Sequence, residues 1–319
     1  MQNSTVGVSN LPNLLHNEFS FHGCNFNIMV VGSHGLGKTT FLNKLLETKV
    51  IKKQPFDCPY DNPFWATESK CNIQTSSFEI RENGFTIRLN ITEVDGIGDC
   101  VDNRDCYKPI IDILESNFND YHQKFKEQTR SMIDDRRIHV CFYFLEPIFT
   151  IKKPDLETLR HISPHCTIVP IIAKSDLVSR DQVLVLKTCI RRLLKASNIP
   201  FFEDIEGQAE APFMIFSEMR DSDSLKNSEW MPTSFNTQTN DFIILKRLII
   251  EKSAIDLIKE TDQYYDNYRV SRLIMNSTDK EIIATKERIE KKIKEYQDKI
   301  SRIQKRIGEH NGSIRAEVQ

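Results

Sequence analysis

Gly32-Ser33-His34-Gly35-Leu36-Gly37-Lys38-Thr39-Thr40 has the form G-x-x-x-x-G-K-[ST], met by Gly32, Gly37, Lys38 and Thr39, with a further glycine at position 35. Such a turn needs glycines because its backbone wraps closely around phosphate oxygens with its N–H groups pointing inward. Lys38 would then reach the β- and γ-phosphates of a nucleotide, and the Thr39 hydroxyl would sit on Mg²⁺. A glycine-rich surface turn that binds nothing is the competing reading. The context decides between them: the apolar run Ile28–Val31 precedes the turn and Phe41–Leu46 continues as a helix after it. The candidate phosphate-binding residues are therefore Gly32, Ser33, Gly35, Leu36, Gly37, Lys38, Thr39 and Thr40.

Two further stretches could complete a nucleotide site. Ala173-Lys174-Ser175-Asp176 follows a second apolar run. The Asp176 carboxylate can accept hydrogen bonds from N1–H and the exocyclic amine of guanine, a donor pair that adenine lacks, while the Lys174 stem packs over the ring. A charged triplet on a solvated surface is the bland alternative. Glu93-Val94-Asp95-Gly96-Ile97-Gly98-Asp99 passes from a strand into an acidic loop. At this place phosphate-loop enzymes keep a carboxylate for Mg²⁺ and a glycine, here Gly96, near the γ-phosphate.

The elements that position these residues can be read from period and punctuation. Cys71–Ile80 and Phe85–Glu93 alternate with period two about Glu82-Asn83-Gly84, a hairpin signal. His139–Leu145, Thr167–Ala173 and Phe213–Phe216 are short, nearly continuous apolar runs, as expected of buried parallel strands. Helices are expected from the phosphate turn to about Glu47 or Thr48, over Cys106–Ser131, Asp155–His161, Ser179–Ala196 with Ser179 as its cap, and Phe242–Ile258. The fold class is α/β, a three-layer arrangement with a mostly parallel central sheet covered on both faces.

The chain has 319 residues and a net charge of −2, so nothing in its overall charge argues for nucleic acid. Its eight cysteines form no C-x-x-C pair or secretory framework, which suggests a reduced, intracellular compartment with mostly buried thiols. No apolar run approaches membrane-spanning length. Residues 1–24 are read as a flexible arm, 25–220 as the nucleotide-binding core, 221–273 as a following element, 274–310 as linker and coil, and 311–319 as a disordered tail. In the coil, Ile289, Ile293, Tyr296, Ile300, Ile303 and Ile307 are spaced by four, three, four, three and four residues among charged neighbours. This heptad seam predicts a short coiled coil needing a partner strand. An amphipathic helix folded back on the main domain is the alternative.

From Phe26 to Arg269 the sequence resembles the septins. The phosphate turn, Gly96-Ile97-Gly98-Asp99 with Val101-Asp102-Asn103, Arg137–Phe144, Pro170–Asp176, and Trp230 with Asp241-Phe242, Leu245, Asp256-Leu257, Thr261, Tyr264 and Tyr268-Arg269 carry the resemblance in order. The resemblance implies the phosphate-loop GTPase fold, the septin unique element and a C-terminal coiled coil. It also implies GTP or GDP as ligand with Mg²⁺ possible. The expected partners are other septin subunits through a nucleotide-side and an N/C-terminal-side interface, and a coiled-coil partner. Localisation would be cytoplasmic, in a septin ring or filament at a bud neck or a forming spore membrane.

The chain also departs from the family pattern. Glu93 stands where septins carry an aspartate, and Asp95 adds a carboxylate near the γ-phosphate. At the first switch the family's threonine falls near Ser69-Lys70-Cys71, with Ser69 the available substitute. Phe149-Thr150-Ile151 replaces a Gly-His-Gly loop, Ser217 replaces a glycine beside the base, and Lys226 or Asn227 replaces an arginine over it. The arm before the first strand lacks the basic stretch that attracts anionic lipid, so membrane association is expected to be indirect. Glu93 and Ser69 are the candidates for any catalytic role. The expectation is a divergent, fungal-type subunit, of the sporulation kind, that holds nucleotide with little or no hydrolysis. A slow GTPase whose cycle controls assembly, and a non-polymerising septin-associated regulator, are the alternatives.

Overall fold

The computed structural model describes residues 24–46, 71–82, 85–100, 102–127, 134–204, 210–215 and 241–274. Its central sheet contains β1 (Cys24–Gly32), β2 (Asn72–Glu82), β3 (Phe85–Asp95), β4 (Val140–Leu145), β5 (Thr167–Ile172) and β6 (Phe213–Met214), in the order β2-β3-β1-β4-β5-β6. All neighbours are parallel except the β2–β3 hairpin, which is antiparallel. The helices are α1 (Lys38–Leu45), α2 (Lys108–Glu127), α3 (Lys153–Ile162), α4 (Arg180–Ala196) and α5 (Phe242–Lys246), followed by a helix over 254–274. The chain divides into two compact units, Met1–Tyr265 and Asp266–Gln319.

Alternation along the strands builds the layers. Phe26, Ile28 and Val30 of β1 and Val140, Phe142 and Phe144 of β4 face one core, where Phe41, Leu42 and Leu45 of α1 and Phe242 and Leu245 of α5 pack. Phe41 meets Phe142, Phe144 and Phe242 edge-on, with centroids 5.3, 5.3 and 5.7 Å away. Met29 and Val31, with Cys141, Tyr143 and Leu145, face the other core against α2, α3 and α4 through Ile110, Leu114, Leu159, Ile162, Leu186 and Ile190. Every residue of β4 and β5 is buried, which is why these strands read as unbroken apolar runs.

Three expectations need correction. Ser179 stands at the N-cap of α4, but its side chain makes no capping hydrogen bond. Phe242–Ile258 is not one α-helix: α5 passes into a π-helical stretch, Arg247–Lys252, and the chain bends at Ser253 before helix 254–274 begins. Of the six cysteines whose side chains are described, all free thiols, Cys106, Cys141 and Cys166 are buried and the other three are half-buried. Residues 1–23, 47–70, 216–240 and 275–319, which include nearly all of the arm, Trp230 and the heptad seam, lie outside the described residues. Among those that are described, no helix is long and apolar enough to cross a membrane.

Two buried polar groups make stability depend on pH in opposite senses. Burial raises the Asp155 carboxyl to about 6, even though Tyr143 donates a hydrogen bond to it at 2.9 Å. Its contribution is present below pH 4, where both states are protonated, and is lost as pH rises through about 6. Burial lowers the His139 imidazole to about 4; its Nδ1 accepts the Asn27 N–H at 2.9 Å. Its contribution is present above the ordinary histidine value and is lost as pH falls through about 4. Each effect amounts to roughly 3 kcal/mol at about 1.4 kcal/mol per unit, so they largely offset between pH 4 and 6.5. Urea unfolding of Asp155→Asn across that range should show stability rising with pH, and of His139→Gln stability falling. Parallel curves for both variants and the parent would contradict this.

Candidate functional site

The site forms at the carboxyl end of the sheet where the strand order reverses. From β1 the chain crosses to β2 and β3 on one side, and from β4 it continues to β5 and β6 on the other. In open α/β sheets the crevice at such a switch point is where ligands bind. Register then sets the neighbours. Gly32, at the end of β1, is aligned with Asp95 of β3 and with Phe144 of β4. Glu93 is aligned with Val30 on one side and Gln74 on the other.

Gly32 has to be glycine. A Cβ there would lie 2.8 Å from the Phe144 carbonyl oxygen and 2.9 Å from the Phe144 Cβ, forcing β1 and β4 apart. Gly37 occupies the N-cap of α1 in the left-handed region, at φ 84°, and turns the loop directly into the helix. Between them the loop curls over a cavity of about 270 Å³ lined by His34, Gly35, Gly37, Lys38, Thr39, Thr40, Asn72, Gln74, Glu93 and Asp95. Ser33 and Leu36 are buried under the loop, and the Ser33 hydroxyl donates to the Ile97 carbonyl at 2.9 Å, tying the loop to the segment after β3. Gly96 turns that segment at φ 89°.

Lys38 is the buried cation of this cavity. Its ammonium donates to the Gly32 carbonyl at 3.0 Å, to the Ser33 carbonyl at 2.6 Å and to Asp95 Oδ1. The other Asp95 oxygen meets His34 Nδ1. Burial pushes the Asp95 carboxyl up, but the attraction of Lys38 and His34 outweighs this and holds it below the usual range. Asp99 accepts the His34 backbone N–H at 2.6 Å. On the same wall the Thr39 hydroxyl donates to Glu93 Oε1 at 2.6 Å. That pair offers the hard oxygens that suit Mg²⁺, whose remaining positions phosphates and water ordinarily supply. Among the described residues no cluster of three or more His, Cys, Asp or Glu could hold a metal alone.

Lys174 and Asp176 follow β5 and are both exposed. Lys174 adopts φ 50°, ψ 45°, unusual for a residue with a side chain, and a single 3₁₀ turn, Ser175–Leu177, carries Asp176 past the sheet edge. Two strand spacings separate β5 from β1, about 10 Å at about 4.8 Å each, a span matching that from the phosphates of a nucleotide to its base. The structure thus brings Gly32–Thr40, Glu93 and Gly96 together, and sets Lys174 and Asp176 on the same edge of the sheet. Ser69 and Ser217 lie outside the described residues. His34, Asn72 and Gln74 also line the cavity, although no motif marks them. The β2–β3 alternation was the available signal for the last two, because pairing in register with Asp95 and Glu93 turns them toward the cavity.

Comparison with known proteins agrees with this architecture. Cell division control protein 3 of Encephalitozoon cuniculi is 33% identical over 96% of this chain and 93% of its own length. Septin homolog spn1 of Schizosaccharomyces pombe is 31% identical over 85% of this chain and 63% of its own length. The crystal structure of the septin GTPase domain of Chlamydomonas reinhardtii has a similar fold, with a TM-score of 0.58 at 19% identity, covering 77% of this chain and 98% of that one. A family model described as septin matches residues 22–225, so the chain belongs to the septin family, as a divergent member of it.

Proposed function

We propose that this chain is a septin subunit that binds guanine nucleotide mainly as a structural element of hetero-oligomeric rods or filaments, with little or no GTP hydrolysis. The observation that carries the reading is the buried Lys38 ammonium at a glycine-rich turn, with Asp176 on the same sheet edge. Lys38 and the loop Gly32–Thr40 would hold the phosphates, Asp176 would take the guanine edge, and Lys174 would cover the ring. Thr39 and Glu93 would hold Mg²⁺, which when bound neutralises phosphate charge. Glu93 is one methylene longer than aspartate, and an octahedral metal shell tolerates displaced ligands poorly. That supports a slow or silent subunit, because phosphoryl transfer depends on positioning. The short Thr39–Glu93 hydrogen bond is the observation that favours the second reading, a slow GTPase.

As a septin, the chain is expected to join other septin subunits, and the heptad seam at 289–307 to find a coiled-coil partner. Relatives with cell division in their names support a place in a cytoplasmic ring or filament at a division site, with membrane attachment through partners. A forming spore membrane is the more specialised possibility. Denaturing the purified chain and identifying the released nucleotide by chromatography, before and after incubation with GTP and Mg²⁺, tests the reading. Stoichiometric guanine nucleotide without sustained phosphate release is expected. Sustained phosphate release would favour the slow GTPase, and absence of any nucleotide would contradict both.

A further inference from the structure

We propose that Asp95 is a built-in counter-anion for the phosphate-loop lysine and makes this site selective for guanosine diphosphate over the triphosphate. The inference rests on the reading that the cavity holds guanine nucleotide, and adds which one.

An ammonium has three N–H donors. Those of Lys38 go to the Gly32 carbonyl at 3.0 Å, the Ser33 carbonyl at 2.6 Å and Asp95 Oδ1, so every donor has a protein acceptor. The Lys38 side chain is 3% exposed, so water does little to weaken its pairing with Asp95. Asp95 is held in place from three directions. It ends β3 in register with Gly32 and with Asn72 of β2, Gly96 turns the chain immediately after it, and His34 meets its second oxygen. A second carboxylate, Asp99, takes the His34 backbone N–H at 2.6 Å. Two acidic residues, one ending β3 and one on the segment after it, therefore take donors of the phosphate loop, one from its lysine and one from its backbone.

For a third phosphate to gain Lys38 it must displace Asp95 from the ammonium. It then sits beside that carboxylate at close range in a partly buried site, where like charges repel more strongly than in water. A diphosphate carries less charge to this wall, can use the inner N–H groups of the turn, and is attracted by the nearby Lys38 charge without displacing Asp95 from it. Asp95 thus stands in for a terminal phosphate, as a carboxylate supplied by the chain.

Equilibrium titration of the full chain with fluorescent GDP and a non-hydrolysable GTP analogue, at fixed Mg²⁺, tests this on the parent, Asp95→Asn and Asp95→Ala. The readout is affinity and is independent of hydrolysis. Asn preserves the shape of the side chain and removes its charge; thermal melts confirm that both variants are folded. The parent should prefer GDP by at least about tenfold, and both variants should gain about tenfold or more for the analogue while GDP changes by less than about threefold. A parent that binds both ligands equally, or a preference unchanged in both variants, would overturn the inference and leave the nucleotide-binding reading standing. Binding by the variants alone would also overturn it, because the parent would then hold neither nucleotide. Binding by no protein, Asp95→Asn included, would overturn the inference and the reading together.

Discussion

Asp176→Ala is expected to lower the affinity for GDP about a hundredfold and leave thermal stability unchanged. A carboxylate facing guanine accepts two hydrogen bonds, from N1–H and the exocyclic amine, and hydrogen bonds to charged groups contribute about 1.5–3 kcal/mol each. Losing both costs on the order of 3 kcal/mol, and each 1.4 kcal/mol is about tenfold in affinity. The folded state should not suffer. Asp176 is exposed on a single 3₁₀ turn at the edge of the sheet, and surface substitutions away from caps and networks usually change stability by about 0.5 kcal/mol or less. Discrimination against ADP should fall with the affinity, since adenine cannot use the carboxylate in the parent either. A titration showing GDP affinity unchanged would remove Asp176 from the base site.

Arg137→Leu is expected to cost about 3–5 kcal/mol of unfolding free energy, the range found when one partner of a buried ion pair is deleted. Arg137 is 3% exposed, forms a two-pronged contact with Asp135, and reaches Asp262 at 3.0 Å. Its guanidinium lies 3.5 Å from the centre of the Tyr121 ring, which stands edge-on to Tyr265 at 5.0 Å. One side chain thereby ties the approach to β4, helix α2 and the helix over 254–274 within the first unit. Burial would lower the Arg137 pKa, but hydrogen bonding and charge from Asp135 outweigh it, and the net shift is upward. Leucine fills part of the space and leaves two carboxylates without their cation. Asp262→Asn should cost less, because Asp262 is 34% exposed, Arg137 keeps Asp135, and the amide oxygen or water can still accept from the guanidinium. Urea unfolding checks both variants. An Arg137→Leu midpoint close to that of the parent would show that the cluster contributes little.

How much of this was legible in the sequence depended on whether a residue's role is local. The phosphate turn could be read because Gly32, Gly37 and Lys38 carry their constraint within a few residues, β4 and β5 because full burial leaves a nearly continuous apolar run, and β2 and β3 from their alternation. The septin resemblance rested on such runs taken in order, and the sheet and the family comparisons bear it out. The break between α5 and helix 254–274 was not legible, since an apolar stripe survives a π-helical stretch with little change of pattern. Nor was the partner of Asp95. Its charge near the phosphates was evident, but that it turns onto Lys38 follows from the parallel register of Gly32 with Asp95, a contact between residues far apart in the chain. His34 gave no signal for the same reason.

The central claim is that the turn ending at Lys38 and the carboxylate of Asp176 together hold one guanine nucleotide. Isothermal titration of the nucleotide-stripped chain with GDP, and separately with ADP, tests it most directly. The account predicts one GDP bound per chain, with ADP weaker by about a hundredfold. No heat from either ligand at millimolar concentration, or equal binding of the two, would contradict it.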